Sequence, residues 1–423
     1  MKYRLPVFLC LFFLPVKIVQ GQKNDTLESN TSRQKTIYSF IIQDSPARLF
    51  TMRQFDQDYL SGYRFYSNLM KKNFSPALNY IIQAVTHFFV LGDLTHEEGH
   101  RSILISKNIG SISQPFFLSK RGGYIDGVTD STLKNLMRQD FPDYARLHTA
   151  GLESDYMLTH REEEMIAFGK ETYSNLAIEY LLRKAMIMEY FLMGFFKYDI
   201  DGAEEKDELK RDIVGNDVYG VIRHLHRPGM TFHRYTRYDD LTAEEISYLK
   251  KMGFRSFFNL VNLNMIGIPN IRVSDNLRIN FGMGHTMCPF GDFIDENLWV
   301  KYKDKLKIDA YFRQFQNREK WFLAGGIGIK DYPLSEKLYS TVDFHVWDQP
   351  VNLGFNDRKG KLGAAVQWVG RYFIIANKKT KLGGVSGDLG LIYKTYGFLP
   401  EEIEMKKHFG IQLGTSLALD KQE

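Results

Sequence analysis

The hydrophobic pattern of this chain changes its period near Pro269, which limits the fold to a mainly helical part followed by a mainly β part. In residues 46–268, apolar residues recur mostly three or four positions apart, as in amphipathic helices. Beyond Pro269 they alternate with polar residues, and about eight such runs separated by turn residues predict an antiparallel sheet. We therefore predict an α+β protein with two domains, spanning residues 46–268 and 269–423.

The β part admits two architectures. A water-soluble sandwich would turn the apolar side of each strand inward, whereas an outer-membrane barrel would turn it toward lipid. The opposite side of the runs is rich in Gly, Asn, Gln, Ser, Lys and Asp, which favours the barrel. Aromatic residues suit its interfacial girdles: Trp299, Tyr302, Trp321, Trp347, Trp368 and Tyr372. The region resembles the C-terminal barrels of Gram-negative outer-membrane proteins, although it lacks their usual aromatic last residue.

The first residues predict export. Residues 1–21 have a basic start, an apolar run from Leu5 to Val16 and small residues before Gln22, as in a cleaved signal peptide. Residues 22–45 are polar and predict a flexible leader. Cleavage would leave Cys288 alone, without an internal disulfide, which suits a bacterial envelope protein. The net charge is +5 and the basic residues are dispersed, which argues against nucleic acid as a partner.

Two long apolar helices are expected in the first part. Polar residues interrupt both Asn79–Leu94 and Asn175–Tyr198, so we expect buried core helices rather than membrane spans. An intramembrane protease is therefore a less favoured possibility.

An H-E-x-x-H pattern, His96 to His100, lies late in an apolar run from Ala77 to Ile105 that predicts a helix. Residues four apart share one helix face, so His96 and His100 can offer two imidazole nitrogens to one metal ion. Glu97 then points toward a metal-bound water, where a general base belongs. Gly99 leaves room for a substrate strand or a second helix.

The pattern resembles the zincin metallopeptidases, and among them the gluzincins, which add a Glu from a downstream helix as third ligand. The resemblance implies Glu153 as that ligand and Asp155 as a group that orients a ligating His. Two imidazoles and a carboxylate leave a coordination position open, as in catalytic sites. One Zn²⁺ is the default ion by ligand type.

Several residues compete for supporting roles. His148 and His160 are rivals of Glu153 as third ligand. A later residue could stabilise the oxyanion of the reaction, although a solvated polar loop is the favoured interpretation of this cluster: His224, His226, His233 and Tyr235. The segment Arg121–Gly127 could form an edge strand that pairs with an extended peptide.

These features predict a zinc metallopeptidase of the bacterial cell envelope that hydrolyses peptide or protein substrates. Its β-domain would lie in the outer membrane. The alternative is a non-catalytic outer-membrane structural or binding protein, in which the metal only stabilises the helical domain.

Overall fold

A computed structural model describes residues 35–47, 49–114, 123–197, 205–376 and 382–420. The predicted signal peptide lies outside these residues. Eight α-helices are described: α1 (Met52–Asn73), α2 (Pro76–Thr86), α3 (Gly92–Ser106), α4 (Asp130–Gln139), α5 (Phe141–Ala167), α6 (Tyr173–Phe196), α7 (Asp217–His226) and α8 (Ala243–Ser256). A π-helical turn, His87–Leu91, joins α2 to α3, and 3-10 turns cover Glu208–Lys210, Tyr238–Asp240, Phe257–Leu260 and Leu263–Ile266.

Local sequence signals account for several helix ends. Thr51 accepts a hydrogen bond from the backbone of Gln54 at the start of α1. Thr242 and Glu245 form a capping box at the start of α8. Gly169 lies in the break between α5 and α6, and it has a φ of 69°, which suits glycine.

Ten strands form one antiparallel sheet in the order β1-β12-β11-β10-β9-β8-β7-β6-β5-β4. They are β1 (Lys35–Ser45), β4 (Ile271–Arg272), β5 (Leu277–Cys288), β6 (Gly291–Tyr302), β7 (Leu306–Gln316), β8 (Trp321–Pro333), β9 (Leu338–Pro350), β10 (Gly360–Ala376), β11 (Leu382–Lys394) and β12 (His408–Asp420). A separate hairpin pairs β2 (Ile112–Gln114) with β3 (Tyr124–Asp126). The antiparallel sheet after Pro269 is confirmed.

The sheet departs from the prediction at its first strand. Residues 35–45 were expected in a flexible leader, but they form β1, which pairs with β12 from Lys35↔Asp420 to Ser45↔Ile411. No ladder joins β1 to β4 or β5 in the described residues, so the sheet is a curved wall with two edges. Backbone pairing with a distant strand fixes β1, and its own composition did not reveal this.

The sheet is polar on its inner face and apolar on its outer face. Asp295 and Arg313 are register partners on β6 and β7, both are buried, and their side chains form a salt bridge. On the outer face of the same strands, Leu298 and Phe312 are exposed. This distribution is the reverse of a soluble sandwich, whose apolar faces meet inside.

The predicted aromatic girdle is only partly on the outer face. Tyr302, Trp321 and Tyr372 are exposed, but Trp299 and Trp347 are buried. The indole nitrogen of Trp347 donates to the carbonyl of Tyr396.

The helical and β parts share one core. One apolar cluster joins Leu152 of α5 and Phe191 of α6 to Phe293 of β6 and Phe398 of the β11–β12 loop. Further along α5, Tyr156 donates a hydrogen bond to Asp295 on the inner face of the sheet. Helix α5 therefore lies inside the curve of the sheet, and the predicted boundary at residues 268 and 269 marks a change of structure within one packed body.

One helical stretch among the described residues has the length and apolar composition to cross a membrane, Pro76–Ser106, which comprises α2, the π turn and α3. Only 22% of its most apolar window is buried. The expectation of a buried core helix is therefore wrong for α2. Helix α6 is mostly buried, as expected.

The crossing of α3 and α5 depends on Gly99. A Cβ atom there would lie 2.6 Å from the carbonyl oxygen of Ala150, a backbone atom that cannot move aside alone. We predict that Gly99→Ala destabilises the protein by about 1–3 kcal/mol through overpacking, measured as a lower midpoint of denaturation. The matched control is Gly62→Ala on α1, where a Cβ meets nothing within 4 Å, and which should stabilise slightly. Equal behaviour of both variants would contradict the tight crossing.

Candidate metal centre

The H-E-x-x-H pattern lies on α3, where it crosses α5 closely. His96 and His100 are both buried, and their rings lie 4.9 Å apart between centroids. Gly151 of α5 faces both rings, because a Cβ atom there would lie 2.4 Å from Nε2 of His96 and 2.6 Å from Nε2 of His100. The two imidazoles therefore fit only over a glycine.

Asp217 completes a three-residue cluster with the two histidines. It is the first residue of α7, and its Oδ2 lies 2.8 Å from Nε2 of His96 and 3.3 Å from Nε2 of His100. The ligand atoms of His96, His100 and Asp217 all lie within 4.8 Å of one another, and all three residues are buried. A single divalent ion could take all three atoms as ligands.

The other nitrogen of each imidazole has a partner that holds the ring in place. Nδ1 of His96 lies 2.8 Å from Oδ2 of Asp155, and Nδ1 of His100 lies 2.6 Å from the carbonyl oxygen of Leu147. A ligating histidine usually donates its second ring N–H to a carboxylate or a carbonyl in this way. The sequence analysis assigned this orienting role to Asp155.

A buried chain of charges supports Asp155. Arg183 of α6 forms a salt bridge with Asp155 and a second one with Glu179, and it also donates to the hydroxyl of Thr95. Glu179 in turn lies 2.6 Å from Nδ1 of His87 in the π turn. Since each group has a partner, the network fixes the orientation of His96 without an unpaired buried charge.

The electrostatics suit a bound cation. Burial raises the pKa of the Glu97 carboxyl well above its usual range, and the nearby carboxylate of Asp212 raises it further. Burial and the neighbouring Asp217 likewise raise the pKa of Asp212 to about 7. Burial opposes the charged form of His96 as well, but Asp155 and Asp217 outweigh it and hold its pKa well above the usual value. Excess negative charge at one buried point is the situation that a divalent ion relieves.

Glu97 is less buried than the three cluster residues. Its side chain is partly exposed, whereas His96, His100 and Asp217 are buried. Gly123, next to β3, is close to it, because a Cβ there would lie 3.4 Å from Cγ of Glu97 and 2.9 Å from Cβ of Asp93. The backbone N–H of Gly123 donates to Asp93. Strand β3 occupies Tyr124–Asp126 of the predicted edge strand, and residues 121 and 122 lie outside the described part of the chain.

Three residues of the site were missed by the sequence analysis. Neither Asp217 nor Asp212 was among the predicted site residues, and the pattern Asn216-Asp217, with Asn216 as an N-cap, was the available signal for the start of α7. Tyr190 of α6 stacks on the ring of His96 at 4.9 Å between centroids, and its hydroxyl lies 3.1 Å from Nε2 of His96. Nothing in the apolar pattern of α6 distinguished Tyr190.

The structure does not bring Glu153 to the cluster. Its carboxylate makes a bidentate salt bridge with Arg146, about two turns earlier on α5, and accepts a hydrogen bond from the backbone of Glu401. Glu153 lies in the middle of α5. Gly151 and Asp155 face the histidines, and Glu153, two residues from each, points to a different face of α5. Asp217 lies where Glu153 was predicted.

The remaining candidates also lie elsewhere in the described structure. His148 packs against Gly220, and its ring nitrogens have no hydrogen-bond partner among the described residues. His160 faces the inner side of the sheet beside Trp299. Nδ1 of His226 donates to the carbonyl of Ile222 in its own helix, and its ring packs against Tyr248 and Phe355.

The last two candidates lie in the segment after α7. The ring of Tyr235 packs against Gly215, since a Cβ atom there would overlap it. His233 influences the pKa of His224, which burial lowers to about 4. None of these residues is in the His96–His100–Asp217 cluster.

Comparisons with known proteins add little. No protein-family model and no curated protein sequence matches the chain. One solved structure, described as the NanC porin structure in rhombohedral crystal form, is 10% identical over 35% of this chain and 74% of the porin chain, with a TM-score of 0.25. That score carries no argument about fold or function, so the proposals below depend on the site and the surfaces.

Metal content can distinguish the third ligand. We predict that Asp217→Asn lowers the affinity for Zn²⁺ by at least about 100-fold, because an anionic ligand is lost. Glu153→Gln should retain stoichiometric zinc, although it weakens the buried contact with Arg146 and lowers stability. Titration of the metal-free protein with zinc measures both variants. Loss of zinc in Glu153→Gln with retention in Asp217→Asn would contradict the assignment.

Proposed function

We propose that this protein is a metal-dependent peptidase of the cell envelope. The cluster of His96, His100 and Asp217 beside the carboxylate of Glu97 is the observation that carries the proposal. Three protein ligands leave coordination positions for water and substrate, which is the arrangement of a catalytic rather than a structural zinc site. Zinc is the proposed ion because imidazole and carboxylate ligands suit it.

Each side chain of the site has a separate role in the proposed peptide hydrolysis. When bound, the divalent ion acts as a Lewis acid and lowers the pKa of water. Glu97 accepts a proton from the attacking water as the C–O bond forms, and transfers it to the amide nitrogen as the C–N bond breaks. The hydroxyl of Tyr190, within 3.1 Å of the His96 ring nitrogen, is placed to donate to the oxyanion. Asp155 keeps His96 in one tautomer throughout.

Two adjacent glutamates provide a test of the base. We predict that Glu97→Gln lowers the rate of peptide hydrolysis by about 10²–10⁴-fold while zinc stays bound, because the variant cannot accept the proton. Glu98→Gln is the matched control: Glu98 contacts Arg101 and Ser113 and points away from the cluster, so its activity should persist. A mixture of quenched fluorescent peptides provides the assay. Full activity in Glu97→Gln would refute the role of the base.

We propose that the outer face of the sheet lies in the outer membrane. Exposed apolar side chains recur on successive strands, for example Leu298, Phe312, Phe344 and Leu413, while the inner face holds paired charges. Exposed apolar bands of this extent are unfavourable in water but stable against hydrocarbon. The fold would then anchor the metal centre at the membrane, which suits an envelope peptidase.

A charge on the outer face tests this placement. We predict that Phe344→Arg on β9 lowers the free energy of unfolding in phospholipid vesicles by about 2–4 kcal/mol, because arginine is costly in hydrocarbon. Leu209→Arg is the control, since Leu209 is also exposed but lies on the 3-10 turn Glu208–Lys210 of the helical part. Urea titration in vesicles measures both. Equal, small effects would place the outer face of β9 in water.

A further inference from the structure

The gap between the two sheet edges is filled by a continuous series of helices. Helix α1 lies against β1, where Arg64 donates to the carbonyl of Ile37 and Gln57 to that of Ser39. Helix α2 lies against α1, where the hydroxyl of Tyr63 donates to Gln83.

The series continues to the other edge of the sheet. The π turn after α2 contacts α6 through His87 and Glu179. Phe191 of α6 packs against His285 of β5. The segment of 3-10 turns after α8, residues 257–266, is bonded to β5, where the backbone N–H of Met283 donates to the carbonyl of Val261. The edge strand β1 and the part of β5 that the two-residue strand β4 leaves unpaired are therefore both bonded to helical elements of the same chain.

Helix α2 has its polar residues inside and its apolar residues outside. Asn79 and Gln83 are buried and hydrogen-bonded to each other. On the opposite side, Leu78, Ile81 and Val85 are exposed, with 59% of Ile81 accessible. Residues 74–91 contain no Asp, Glu, Lys or Arg. A helix that faced water would have the reverse distribution.

The 3-10 segment after α8 has the same inverted distribution. Asn259 and Asn264 are buried and bonded to the backbone or side chains of β5, while Val261 and Ile266 are exposed. On α1, Phe65 and Leu69 are exposed, and the charged residues Lys71 and Lys72 follow in the last turn of the helix. Three elements that differ in sequence and type thus present apolar side chains outward, as the strands on either side do.

We propose that these helical elements and the sheet together form a mixed α/β wall around the space that the polar inner face of the sheet lines. We propose further that bilayer acyl chains cover the outer surface of this wall. The proposal rests on the membrane placement of the sheet proposed above. Lipid is the occupant that fits, because the apolar surface continues from β1 across the helices to the exposed Phe281 of β5 without a charged side chain on α2. Open sheet edges are tolerated at membrane depth only where protein covers them, and α1 and the 3-10 segment provide that cover.

This wall also sets the position of the metal centre. The distance along the helix from Ile81 to His96 is about 22 Å at 1.5 Å per residue. Charged residues return at Asp93, so the apolar stretch ends within one turn of the H-E-x-x-H pattern. The metal centre is therefore next to the end of this apolar stretch.

Spin labels on single cysteines test the wall in phospholipid vesicles. In a full-length background with Cys10→Ala and Cys288→Ala, labels are placed by Ile81→Cys and Val261→Cys on the helical part. Phe344→Cys on β9 is the comparator for the sheet, and Ser247→Cys on the exposed polar side of α8 is the aqueous control. Collision rates with oxygen, which concentrates in hydrocarbon, and with a nickel chelate, which stays in water, are measured for each label.

We expect the Ile81 and Val261 labels to match Phe344, with oxygen collisions favoured several-fold over nickel, and Ser247 to show the reverse. Aqueous behaviour at Ile81 and Val261 with lipid behaviour at Phe344 would overturn the mixed wall but leave the anchored sheet intact. Aqueous behaviour at all four positions would overturn both. Low collision rates with both reagents at Ile81 would show that protein, such as a second copy, covers α2, and would also overturn the proposal.

Discussion

The structure depends on how it satisfies the two open edges of its sheet. An unpaired edge exposes a row of N–H and C=O groups, which is costly away from water and invites aggregation in water. Side chains of α1 satisfy the edge of β1, and backbone and asparagine groups of the 3-10 segment satisfy β5. The helices are thus part of the sheet's own hydrogen bonding, which explains why the two parts share a core.

Helix α5 links that wall to the chemistry. Its middle supports the metal centre through Gly151 and Asp155, and the next residue, Tyr156, contacts the inner face of the sheet through Asp295. The inner cavity, about 280 Å³ in volume, is lined by paired charges from both sources. A rigid helix shared by both regions holds the ligands in a fixed geometry, which preorganised sites require.

Periodic patterns predicted much of this protein, and long-range contacts determined the rest. The strands after Pro269 and the break at Gly169 follow from local alternation and turn chemistry. His96 and His100 follow from helical spacing, but Asp217 is about 120 residues away in sequence and only its fold position brings it near. Glu153 has the residue type expected of the third ligand, but its carboxylate forms a salt bridge with Arg146 and lies outside the site. Strand β1 and the outward face of α2 both depended on neighbours that local sequence does not specify.

The pairing of β1 with β12 has a consequence for folding. These two strands come first and last in the sequence, and their contact joins residues at nearly opposite ends of the described chain. Contacts of such long sequence separation are slow to form, because closing the long loop between the two strands costs conformational entropy before the contact stabilises the chain. The carboxylate of Glu153 likewise accepts a hydrogen bond from the backbone of Glu401, which lies 248 residues later in the sequence. Helix α5, which carries Gly151 and Asp155 of the metal centre, therefore completes its contacts only after the C-terminal part of the chain has folded against it.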